Sequence, residues 1–219
     1  MFKRGKHQKA QIWVETVIYT LIALVMIGTV VSIVKPKIEE SQDRAIIQQS
    51  KNLINSIDSI IFDIKSAAGN QRIIEVGIKE GNLLIDAEND RIIFEIESRY
   101  EYSEPGQYIQ EGASEIIAHT QKIGKFNNVT LTRNYGEIYN ITYLGKDELK
   151  TITKSPTPYK MIISNEGENK FEDTSSSCTA FTVDTECTNS IYEIGYSKFC
   201  INGICKYISD RITINIDIT

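Results

Sequence analysis

The chain has 219 residues, 41% of them hydrophobic and 24% charged. That length holds one ordinary domain with an appendage, or two small domains, and the composition excludes wholesale disorder and low complexity. The formal net charge of −5 excludes a strongly basic duplex nucleic-acid binder.

The charge is unevenly spread. Residues 1–37 carry Lys3, Arg4, Lys6, Lys9, Lys35 and Lys37 against one acid, Glu15, a net of +5, so the other 182 residues carry −10. A basic head, an apolar run and an acidic body form the pattern of a targeting or anchoring segment. The run, residues 17–34 (VIYTLIALVMIGTVVSIV), has no charge. As a helix it is about 27 Å long, close to the thickness of a bilayer's hydrocarbon. Extended back to Ile12 it is broken only by Glu15, and it ends in Lys35-Pro36-Lys37, which is no small-x-small cleavage site. It reads as an uncleaved spanning helix over 12–34, with a cytoplasmic N-terminus and the acidic body outside. A buried core helix is the competing reading.

A carboxylate in a spanning helix costs a few kcal/mol unless it lies near an interface or meets a partner. Glu15 stands five places after Ala10 in the run Lys9-Ala10-Gln11-Ile12-Trp13-Val14-Glu15. A cut after Ala10 makes Gln11 the first residue and Glu15 the fifth. On these residues the sequence resembles the archaeal type IV pilin-like proteins, which carry a class III signal peptide: a short basic leader, Lys or Arg then Gly or Ala before the cut, Gln after it, Glu at the fifth mature position, and an apolar helix. The resemblance covers about 30 of the 219 residues. Thr16, Tyr19 and Thr20 are more polar than the motif needs, and Gly5 offers a second cut that would place Glu15 tenth.

The resemblance implies processing by a prepilin peptidase on the cytoplasmic side. It also implies residence in the membrane before assembly, an assembly platform protein and ATPase as partners, and packing of the helix among further copies of the chain in a filament core. The new α-amino group, with a pKa of about 8, would be a partner for Glu15 of a neighbouring subunit. Removing residues 1–10 takes away four cations and no acid, which moves the formal charge from −5 to −9. The competing reading is an unprocessed anchor whose Glu15 reaches the headgroups.

Pro36 is expected to kink the helix or start a new one. Beyond it, Ile46, Leu53, Ile57, Ile60, Ile64 and Ala67 step by sevens, fours and threes, one apolar stripe on an amphipathic stalk over 37–68 that packs on its own domain. Gly69-Asn70 is the stop signal. The expected division is a leader over 1–10, a helix over 11–68, and an extracytoplasmic β-rich domain over 69–219, with a split near 155–158 as an alternative. The fold class is α+β, and with the resemblance a pilin-like lollipop.

From Ile73 the period becomes two. Phe94 and Ile96, Val129 and Leu131, Tyr139, Ile141 and Tyr143, and Ile212, Ile214, Ile216 and Ile218 alternate with polar residues, as antiparallel strands with one buried face do. The 38 isoleucines favour strands. Gly81-Asn82, Asn89-Asp90, Asn134-Tyr135-Gly136 and Asn202-Gly203 read as turns. Residues 112–122 read as a short helix.

Cys178, Cys187, Cys200 and Cys205 permit three disulfide pairings. An Asn-Gly hairpin would set Cys200 opposite Cys205, which favours that pair and leaves Cys178 with Cys187. A four-cysteine zinc site is the competitor, against which stand the spacing and an extracytoplasmic setting. Asn128-Val129-Thr130 and Asn140-Ile141-Thr142 are glycosylation sequons.

No motif of a hydrolase, nucleotide binder or zinc protease occurs, and His119, the one histidine beyond the leader, reads as a surface or core histidine rather than a base. Asp86, Glu88 and Asp90 alternate like a calcium loop but lack its glycine and terminal glutamate, so they read as a hairpin turn. The expectation is a structural protein with no catalytic residue, metal, cofactor or nucleic-acid partner: a major or minor filament subunit in the membrane and then on the cell surface. The alternative is a single-pass anchored β-domain that binds ligands or partners.

Overall fold

The computed structural model describes residues 7–112, 114–177, 196–201 and 204–219. One helix, α1 (His7–Ile64), takes 58 of them, with Pro36 inside it, and is about 87 Å long at 1.5 Å per residue. The chain passes through Pro36 within a single helix, as the expected helix over 11–68 requires, and the alternative of a new helix starting there does not occur. Proline removes a single N–H, and Lys35, Lys37, Glu39 and Glu40 around it are good helix formers that carry the ladder through. Lys35 and Lys37 pair with Glu39 and Glu40 across the next turn, at 3.9 and 2.7 Å. The helix stops at Ile64 rather than 68, and the turn that follows ends at Gly69, whose φ of +84° suits glycine.

The buried stripe of the stalk is Ile47, Ser50, Ile54, Ile57, Ile61 and Ile64, while Ile46, Leu53 and Ile60 lie half-buried at its flank and Ala67 is exposed. The doublets Ile46-Ile47, Leu53-Ile54 and Ile60-Ile61 offer two parallel rows, and Ser50 hides the second from a reading by apolar spacing. Its hydroxyl donates to the Ile46 carbonyl at 2.9 Å, so the group is satisfied without a partner from the sheets.

Among the described residues eleven strands follow: β1 (Gln71–Val76), β2 (Asn82–Asp86), β3 (Arg91–Ser98), β4 (Tyr108–Gln110), β5 (Ile116–Ile123), β6 (Phe126–Asn134), β7 (Tyr139–Tyr143), β8 (Leu149–Thr153), β9 (Tyr159–Ser177), β10 (Tyr196–Ile201) and β11 (Ile204–Ile218). One sheet runs β4-β5-β6-β3-β2-β8 and the other β1-β9-β11-β10, with β7 also on β11. The chain crosses between the sheets at 155–158, so the expected alternative boundary is a connection within one core. Ile54, Ile57 and Ile61 of the helix, Phe94 and Leu131 of the first sheet and Ile163 and Ile214 of the second share that core.

Two expectations are corrected. The short helix expected over 112–122 gives way to a strand from Ile116: β5 pairs with β6 from Ile116↔Arg133 to Ile123↔Phe126. Ala118, Gln121 and Lys122 favour a helix, but Gly124-Lys125 closes a two-residue hairpin with Gly124 at φ +63°, the geometry that a type II′ turn gives its first residue. The strands are also not all antiparallel. β7 lies parallel to β11, Ile212↔Tyr139 through Ile216↔Tyr143, while β9 takes the other edge of β11 antiparallel.

The short 3₁₀ turn Ala87–Asn89 links β2 to β3, so the Asp86-Glu88-Asp90 alternation is a hairpin turn. Asp86 is buried and accepts from Arg91 Nε at 2.6 Å and from Asn89 Nδ2 at 3.0 Å. Burial opposes its charge, but those donors outweigh it and hold the carboxyl below its ordinary value. A carboxyl lowered in the folded state adds stability that is present above the unfolded pKa, about 3.9, and is lost as pH falls through the folded value. Urea titrations from pH 6 to pH 3 should therefore show the stability gap between the native chain and Asp86→Asn narrowing toward pH 3. A constant gap would refute the assignment.

Candidate functional site

The feature that sets this chain apart is the first half of α1. Every residue from 13 to 38 is exposed, and sixteen of them are large apolar side chains, from Trp13 to Ile38. At about 1.5–3 kcal/mol for each one fully buried, covering them is worth tens of kcal/mol, well beyond the net stability of a domain. The segment is long and apolar enough to cross a membrane.

Its polar groups are turned inward on the helix. Thr20 Oγ1 donates to the Val17 carbonyl, Thr29 Oγ1 to Val25 and Ser32 Oγ to Thr29, each at 2.8 Å. Tyr19 Oη donates to Glu15 Oε1 at 3.3 Å, one turn away. Hydroxyls bonded to the helix itself need neither water nor another chain, which an apolar setting demands. Thr20 and Tyr19, out of place against the motif, are thus accommodated locally. Ala10 and Gln11 lie in the helical backbone of α1.

Burial begins at Glu39, and from there charges fasten the helix to the first sheet. Glu39 meets Arg99 at 2.8 Å, and Asp43 accepts from the Arg99 backbone N–H at 2.7 Å. Lys51 pairs with Glu111 at 2.7 Å, and Asp58 with Arg133 Nε at 3.0 Å. Glu115 also holds the Arg133 guanidinium. Burial, with Glu111 close by, pushes the Tyr102 hydroxyl up to about 12, and burial likewise raises that of Tyr135. These charges fasten elements far apart in sequence, a pairing that no local spacing signals. The exposed and the packed halves of α1 therefore meet at Ile38-Glu39, beside the ion pairs of Lys35 and Lys37.

The other singled-out residues lie apart from this segment. Asn128 is half-buried on β6 and lines an open cleft of about 620 Å³ with Asp43, Glu95, Glu97 and Phe126. Asn140 is half-buried on β7, opposite Thr213. His119 lies on β5 and stacks on Tyr108 at 4.4 Å between ring centres. Cys200 and Cys205 are register partners on β10 and β11, as the hairpin reading expects, and both are disulfide-bonded. Cys178 and Cys187 lie outside the described residues, and with them the pairing of the four. The Asn202-Gly203 turn lies outside them too. Among the described residues no cluster of three or more His, Cys, Asp or Glu side chains is placed to hold a metal ion.

Sequence reasoning missed Asp90 and Asn165 as structural centres. Asp90, left-handed at φ 51°, accepts from the Ile141 N–H and from Arg211 Nη1, both at 2.7 Å, and so ties the β2–β3 turn to β7 and β11. Asn165, buried on β9, donates to the Ile64 carbonyl at 3.0 Å and accepts from the Gly167 N–H at 2.7 Å, which caps α1 from the second sheet. The Asn89-Asp90 and Asn165-Glu166-Gly167 pairings of Asx residues with turn signals were the local hints.

Compared with protein-family models, curated proteins and solved structures, the chain matches none.

Proposed function

We propose that this chain is a structural subunit, major or minor, of an archaeal type IV pilus-like surface filament. On this reading a prepilin peptidase cuts between Ala10 and Gln11. The exposed half of α1 holds the subunit in the membrane, N-terminus inward, and then packs among the same segments of further copies under the action of a platform protein and its ATPase. The β-rich head lies outside the cell. The observation that carries the proposal is the run of sixteen exposed apolar side chains on one unbroken helix whose second half is clamped into the head. Such a helix has to be covered, and lipid followed by its own copies supplies two covers of the same apolar chemistry.

Glu15 is the residue on which the reading turns. In an apolar bundle its carboxylate needs a cation, and the α-amino group of Gln11, created by the cut, is one. Mass spectrometry of the native protein should find a chain that begins at Gln11. Glu15→Ala should abolish filaments seen by electron microscopy, while the melting temperature of the solubilised protein stays within about 1 °C, since Glu15 lies in the exposed half of the helix. An intact Met1 with Glu15→Ala behaving as the native chain would favour the plain single-pass anchor instead.

A further inference from the structure

We infer that the two sequons are not equivalent: Asn128 carries an N-linked glycan on the folded head and Asn140 does not. The inference rests on the head lying outside the cell, as proposed above, where a transferase can meet it.

The sequon pattern needs both the amide and the hydroxyl two places on, so the modifying enzyme has to reach both. At the first sequon both are within reach. Asn128 and Thr130 are each half-buried on the face of β6 opposite its buried side, which Asn127, Val129 and Leu131 take. The Asn128 side chain lines the open cleft of about 620 Å³, and among the described residues no hydrogen bond from another side chain holds it.

At the second sequon the hydroxyl is sealed. Thr142 is 6% exposed, and its Oγ1 donates to Asn215 Oδ1 at 3.1 Å. The same Asn215 oxygen accepts from the Gly145 N–H at 2.7 Å, so freeing Thr142 means opening the loop after β7 as well. Asp90 pins the next residue along, Ile141, by its backbone N–H.

The cleft also suits the product. Glu97 is the register partner of Asn128, and Glu95 stands one step along the same face. Carboxylates there accept hydrogen bonds from sugar hydroxyls, and Phe126, with Ile123, gives an apolar surface on which a sugar ring can lie. The Arg99 guanidinium, 5.4 Å from the Phe126 ring centre, holds that ring in place.

The chemistry is a glycosyl transfer from a lipid-linked oligosaccharide. Asn128 Nδ2 forms a bond to the anomeric carbon of the first sugar. The bond from that carbon to the carrier's phosphate oxygen breaks, with its electron pair leaving on the phosphate, and one amide proton passes to a base. Nothing is oxidised or reduced.

The test uses the full-length protein purified from its own cells. Trypsin cuts after Lys125, Arg133 and Lys146, so Asn128 and Asn140 fall in separate peptides, 126–133 and 134–146. Mass spectrometry should find the whole glycan increment on 126–133 and a bare 134–146. Asn128→Gln and Thr130→Ala should each lose the whole increment, and Asn140→Gln should keep it. An increment on 134–146, an increment that survives Asn128→Gln, or no increment at all overturns the inference. Protease treatment of intact cells separates the two ways to fail: a digested head with a bare Asn128 sinks this inference alone, and a protected head sinks the extracellular reading with it.

Discussion

Asp90→Ala is expected to lower the unfolding free energy by about 3–5 kcal/mol, the sum of three losses. The carboxylate accepts a charge-assisted bond from the Ile141 N–H, of a kind worth about 1.5–3 kcal/mol. It also pairs with Arg211, whose side chain is largely shielded from water, and alanine leaves that cation with the Gly136 carbonyl as a weaker substitute. The third loss is conformational. Asp90 sits at φ 51°, where aspartate is tolerated and alanine is strained by about 1 kcal/mol. Asparagine keeps the tolerance and an acceptor for Ile141 but loses the charge facing Arg211, so Asp90→Asn should cost about half as much. Urea unfolding of the detergent-solubilised protein reads both. Equal costs would show that neither the conformation nor the bond to Ile141 contributes, and a cost under 1 kcal/mol would show that the two sheets do not depend on this junction.

The second large effect is at Asn165. Leucine of similar size removes the donor to the Ile64 carbonyl and the acceptor for the Gly167 N–H, two bonds at a residue that is 1% exposed. Each backbone group left without a partner costs about 1–3 kcal/mol, so Asn165→Leu should lose about 2–5 kcal/mol. Aspartate separates the roles. It still accepts from Gly167, yet it sets a negative charge against the carbonyl end of α1, where the helix dipole disfavours it. Asn165→Asp should therefore be as harmful as leucine near pH 7 and recover as pH falls and the carboxyl gains a proton. A variant insensitive to pH would argue against the cap.

What could be read from the sequence followed from how local each signal is. The apolar run, its exit at Lys35 and the stalk depend on neighbours three and four places apart, and they stand as expected apart from the choice between the rows led by Ile46 and Ile47. Ser50 caused that slip, because a hydroxyl bonded to its own helix looks from sequence like a polar face. The alternating strands over Phe94, Val129, Tyr139 and Ile214 were legible by the same logic, with a period of two. The strand over 116–123 was not, since Ala118, Gln121 and Lys122 spoke for helix and only its pairing with β6 decides the matter. The parallel lie of β7 on β11, the Asp58–Arg133 pair and the remote cap from Asn165 join residues separated by 73 to 101 positions. No spacing rule reaches that far. The exposed half of α1 was legible because its apolar length is itself the signal.

The way α1 enters the head has a mechanical consequence. The fastenings at Glu39, Asp43, Lys51, Asp58 and Ile64 are spread along about 38 Å of one rigid rod. A pull on the head along the rod strains them side by side, so they share the load and must give way together. A pull across the rod would open them one after another, starting at Glu39. A rod held in this way is strong against traction along its length and weak against peeling.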